Sequence, residues 1–238
     1  MRTAAGSPAP WRWCLAAGLI AFLCSWGFGR IPGLTACGGG SELGPILAFE
    51  FARTPAEVAA LFGAEPCRST LVAAQRTGLL LDALGFIPAY TAFLCCAAWA
   101  VGRGLRKPLI ALLILAGLLD QVEGVLLWRT LAALPGDQAT LDALGWAVRG
   151  KFLALGLGTL GIALTLLTTG WRAVPIGFAL VIGTGAEVAL ADLFAGPSRW
   201  MMTGFTTAWV ALLACAALGA AWPRLLAARP RAQAHPSA

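Results

Sequence analysis

The side chains of this sequence with the most chemical potential lie where solvent chemistry is least expected. Leu118-Leu119-Asp120-Gln121-Val122-Glu123-Gly124 places two carboxylates and an amide inside an apolar run from Leu109 to Trp128, about the ~20 residues that carry a helix across a bilayer. At ~100° per residue, Asp120 and Glu123 stand one helical turn apart on one face, so a single partner or cavity can serve both. An ionisable group at that depth costs several kcal/mol on even the most lenient insertion scales, and such groups face protein or water rather than lipid. Asp82, Lys151, Glu187 and Asp192 also fall within otherwise apolar runs. These six residues form the candidate binding set. Their surplus of acid over base suits a cation, an amine or a proton.

The elements that must position these groups are membrane helices. The chain has 238 residues, 59% hydrophobic and only 12% charged, with a mean hydropathy of +0.79, which excludes the soluble globular class. The expected fold is all-α, an integral membrane six-helix bundle built as one membrane domain over 1–238. Spans are expected at about 13–29, 78–101, 109–128, 144–169, 173–195 and 200–222, with a long outer loop, 30–77, between helices 1 and 2. Nine of the 10 tryptophans fall near proposed span ends, where indole prefers the headgroup level, and Trp209 is the exception. Pro88 predicts a kink in the second span. The spacing of Gly150, Ala154 and Gly158 predicts close helix contact on the fourth.

The net charge of +6 does not point to nucleic acid, because the basic residues stand at the ends of apolar runs instead of forming a patch. Arg2, Arg12, Arg103, Arg106, Lys107, Arg172, Arg224, Arg229 and Arg231 fall on one side of a six-span topology, and no acid joins them. This predicts both termini in the cytoplasm. The first span is read as an uncleaved anchor, since Trp26, Phe28, Arg30 and Pro32 follow it where a signal peptide would carry small residues.

Within the outer loop, Thr54-Pro55-Ala56-Glu57 carries the signature of a helix start, and Pro45 to Phe51 fits an interfacial or re-entrant helix. Cys37 and Cys67 are the loop's only cysteines, a natural disulfide in an oxidising compartment. Leu34-Thr35-Ala36-Cys37 also spells a lipoprotein box, although Arg30 and Pro32 part it from the apolar run that should abut it.

Counted at ~1.5 Å per residue, Asp82, Glu123, Lys151, Glu187 and Asp192 lie in the outer half of the membrane and Asp120 near the midplane. Lys151 comes level with Glu123 if helices three and four pack antiparallel. It then either neutralises Glu123 or Asp120 as a packing device or forms the basic member of an acidic pocket.

Bis-histidine haem, histidine-ligated zinc and a Ser-His-Asp triad are excluded within the membrane, because the only histidine is His235 in the tail. No Cys-x-x-Cys, Gly-x-Ser-x-Gly or Walker A loop is present, and Gly38-Gly39-Gly40 is a flexible turn. Neither cofactor nor metal is expected. An enzyme would have to work with Asp and Glu alone, and the Gly-x-Gly-Asp of an intramembrane aspartyl protease is missing.

Leu81-Asp82 followed by Phe86-Ile87-Pro88-Ala89-Tyr90, then Leu119-Asp120-Gln121-Val122-Glu123 and Lys151-Phe152, resembles a group of multi-pass proteins of GC-rich bacteria without an assigned activity. The likeness covers the first four spans and implies an inner-membrane location. The expected function is a small-solute or proton-coupled transporter, or a ligand-binding module, with an outward-facing acidic pocket. The alternatives are a structural or regulatory subunit whose buried charges serve helix packing or dock a membrane protein partner, and a lipid-modifying enzyme using carboxylates.

Overall fold

The computed structural model describes residues 8–38, 43–101, 104–168 and 173–226, and those residues form helices and connections without a strand. Arg2, Gly39, Gly40, Glu42, Arg103, Trp171, Arg172, Arg229, Arg231 and His235 lie outside the described residues. Six stretches are long and apolar enough to cross a membrane. They are α1 (Ala9–Phe28), α4 (Cys67–Leu81) continued into α5 (Ile87–Val101), α6 (Arg106–Ala132), α7 (Gln138–Leu167), α8 (Ala173–Ala195) and α9 (Arg199–Ala221). Two short helices, α2 (Gly44–Glu50) and α3 (Pro55–Phe62), fold within the long loop, and α10 (Pro223–Leu226) follows the last span. The protein is therefore an all-α, polytopic membrane protein.

The spans pack in chain order, α1 on α5, α5 on α6, α6 on α7, α7 on α8 and α8 on α9, and α9 returns to α1. Small residues set the closest approaches. A Cβ on Gly204 would lie 2.5 Å from the Gly185 carbonyl oxygen, and one on Gly185 would lie 2.6 Å from the Gly204 carbonyl oxygen. The obstruction is backbone, which cannot swing aside. Gly204→Ala should therefore destabilise the protein by about 1–3 kcal/mol, the usual cost of overpacking, read as a lower melting temperature in detergent; an unchanged value would show that α8 and α9 can part freely. The α7 ridge meets α6 through side chains instead, with Gly150 against Leu119 and Gly158 against Leu113.

Indole side chains mark two levels. Trp26, Trp128, Trp146 and Trp200 are exposed at the loop-bearing end, and Trp13, Trp99 and Trp222 at the other, as headgroup anchoring requires. Trp11 instead packs beside Gly219.

The loop is a folded cap. Thr54 accepts a hydrogen bond from the Glu57 N–H at 3.2 Å, and the Glu57 carboxylate accepts in return from the Thr54 N–H. This reciprocal pair starts α3. A disulfide joins Cys37 to Cys67, and Phe49 meets Phe62 edge-on at 5.1 Å. Gln75 donates to the Pro45 carbonyl at 2.9 Å, fastening α2 to α4.

The helix that carries the second span begins at Cys67, so its first turns fall within the stretch 30–77. Its irregularity also falls earlier than Pro88. Residues Asp82–Phe86 form a π-helical turn in which the Ile87 N–H reaches the Asp82 carbonyl. Proline at 88 has no N–H to offer the turn below it, and widening that turn is one way a helix absorbs the loss. The Gln121 amide donates to the Ala83 carbonyl at 2.9 Å, satisfying a carbonyl within the π turn.

Candidate functional site

The acidic motif of α6 divides its work by face. Gln121 serves the π turn, while Asp120 and Glu123 point toward α7 and meet Lys151. The Lys151 Nζ lies 3.0 Å from Asp120 Oδ1 and 2.7 Å from Glu123 Oε2. A third carboxylate arrives from the loop, with Glu50 Oε2 at 3.1 Å. An ammonium has three N–H donors, and here each has a carboxylate. All four side chains are buried, with Lys151 4% exposed, Glu123 2%, Asp120 5% and Glu50 7%. The Tyr90 hydroxyl donates to the second oxygen of Asp120 at 2.6 Å. Glu50 lies outside the spans, and burial raises its pKa above the ordinary carboxylate value while the Lys151 charge draws it part of the way back.

The charges do not balance. One ammonium faces three carboxylates, and Asp82 lines the same cavity as a fourth acid. Among the described residues the Asp82 carboxylate makes no hydrogen bond or ion pair, and Asp82 lines a cavity of ≈ 470 Å³ together with Glu50, Asp120 and Lys151. Sites for small molecules commonly have this size and this mixture of an apolar wall with a few convergent polar groups.

The wall is aromatic to an unusual degree. Phe152 approaches Phe205 at 5.8 Å, Phe205 approaches Trp209 at 5.9 Å, and Trp209 approaches Tyr90 at 5.5 Å. The series continues from Tyr90 to Phe86 at 5.2 Å and from Phe86 to Phe28 at 5.8 Å. All six rings line the cavity. Trp209, the one tryptophan away from a span end, is thereby accounted for. It closes this wall and donates its indole N–H to Thr159 at 3.3 Å.

No protein family, curated protein or solved structure matches the chain.

Of the six residues selected from sequence, the structure brings Asp82, Asp120, Glu123 and Lys151 together. Asp192 stands elsewhere, capping the start of α9 by accepting from the Ser198 and Met201 N–H groups at 2.7 and 2.9 Å and from the Ser198 hydroxyl at 2.9 Å. Glu187 is exposed on α8, away from the cavity. Three residues that complete the site were not selected: Glu50, Tyr90 and Trp209. Glu50 was marked only by its place at the end of a short apolar run, and Trp209 only by its depth. Among the described residues no cluster of metal-ligating side chains is found.

Proposed function

We propose that this membrane protein binds an amine cation in the cavity beneath the loop, with Asp82 as the contact for the charged nitrogen. The observation that carries this reading is the unpaired Asp82 carboxylate opening into an aromatic-walled cavity. A carboxylate offers an ammonium a charge-assisted hydrogen bond, and ring faces attract a cation by roughly 0.5–2 kcal/mol each. An anion is disfavoured, because Lys151 is already engaged by three carboxylates. Exchange of the bound cation for protons on the surplus acids would make the protein a proton-coupled carrier. Without exchange it would be a ligand-binding module. The loop-bearing face is read as the outer face of a bacterial inner membrane, on the positions of the basic residues and on the disulfide.

A small water-soluble amine tests the reading. At ten times its Kd, n-butylamine should stabilise the purified protein by roughly 1.4 kcal/mol through mass action, a shift of a few degrees in melting temperature. Asp82→Asn should fold and lose the shift. Equal shifts in both proteins, or none in the wild type, would sink the proposal.

A second reading rests on the same ion cluster. Lys151 ties α2, α6 and α7 at one point, as expected of a subunit whose charges fix packing, and the exposed Glu187 would be its docking point for a partner helix. That reading requires a partner that co-purifies in mild detergent and no response to the amine.

A further inference from the structure

Among the described residues, most of the cavity's lining is buried or half-buried. Its exposed lining residues are Ser25 and Gly29 at the loop end of α1 and Met202 and Thr206 on α9. These two helices press together at their far ends, where a Cβ on Gly219 would strike Trp11 and one on Gly18 would strike Leu213. Toward the loop end, both helices turn residues to the cavity. The two lips therefore frame a side opening. Ser25 adjoins Trp26, and Thr206 lies six residues beyond Trp200, about 9 Å at 1.5 Å per residue. With Trp26 and Trp200 at headgroup level, the opening faces the upper acyl region of one leaflet.

We infer that the ligand reaches Asp82 sideways from the bilayer, between α1 and α9, and is a membrane-dissolved amphiphile consisting of one apolar chain ending in a protonated amine. This inference rests on the amine reading given above. Beside the lips the cavity is lined by Phe22, Met202 and Phe205, an apolar surface that suits a chain. A water-sized group occupies about 30 Å³, so ≈ 470 Å³ holds roughly fifteen heavy atoms. That is room for one chain with its head and too little for a two-chain phospholipid.

The test uses the full-length protein in lipid nanodiscs with tritiated dodecylamine, and n-butylamine as a control for the charged end of the site. Wild type should bind both. Thr206→Trp, which fills one lip, should keep the butylamine shift in melting temperature and slow dodecylamine association at least tenfold. Ser25→Trp fills the opposite lip and should do the same, so the test survives if one variant fails to fold. Unchanged dodecylamine association in a folded lip variant overturns the side route. Wild type that binds butylamine but not dodecylamine overturns the amphiphile and leaves the amine reading standing. Wild type that binds neither removes both.

Discussion

Lys151→Met should be the most damaging single substitution in the protein, costing about 3–5 kcal/mol, the range for removing one partner of a buried ion pair. The size follows from what is left behind. Glu50, Asp120 and Glu123 would face one another in a site from which water is largely excluded, with no cation among them. Glu123→Gln should be mild, within about 1 kcal/mol of wild type, because it removes one surplus negative charge and keeps a polar group beside the ammonium. The double variant should recover only part of the loss, since Glu50 and Asp120 remain unopposed. Thermal unfolding of the three proteins in detergent checks the ordering. A Lys151→Met protein as stable as wild type would mean that the three carboxylates do not depend on Lys151.

Replacing both Cys37 and Cys67 by serine should have the next largest effect. The bridge joins residues separated by 30 in sequence, and closing a loop of that size in the unfolded chain corresponds to roughly 3–4 kcal/mol on the chain-entropy account. The loss should be local in its first appearance. The cap of α2 and α3 would loosen and become open to protease while the six spans persist, because the spans pack on one another independently of the bridge. Glu50 rides on that cap, so butylamine binding should weaken along with it. A reductant should reproduce both changes in the wild type. A melting temperature that is the same with and without reductant would show that the cap is held by its apolar contacts alone.

What the sequence made legible was whatever depends on neighbours along one helix. Asp120 and Glu123 share a face because of helical geometry, and the lipid-facing runs around them are long enough to count. The capping box at Thr54 is equally local and stands as read. What stayed hidden depends on contacts between distant parts of the chain. Glu50 meets Lys151 across 101 positions, and nothing within the α2 stretch distinguishes a carboxylate that dives into the bundle from one that faces solvent. Asp192 shows the reverse. It was selected for lying in an apolar run, and its role is set by the turn that follows, where Ser198 and the first N–H groups of α9 come back to it. The irregularity expected from Pro88 takes the form of the π turn at Asp82–Phe86. Proline announces that the helix must yield, whereas the partner that satisfies a carbonyl of the widened turn, Gln121, comes from another helix.

The order of the charged residues along the chain bears on how the protein is made. Glu50, Asp82, Asp120 and Glu123 are all synthesised before Lys151. When α6 first meets the membrane, its two acids have no cation to join, and each acid at mid-helix opposes insertion by about 2.5–3.5 kcal/mol on the biological scale. The segment that follows carries the remedy, and α6 and α7 are joined by only a short connection between Ala132 and Gln138. The two helices are thus suited to leave the insertion machinery as a hairpin, with the ammonium delivered to its carboxylates in the same step. Glu50 can meet the ammonium only once Lys151 has been made, so the cap's ion pair with the bundle cannot precede α7.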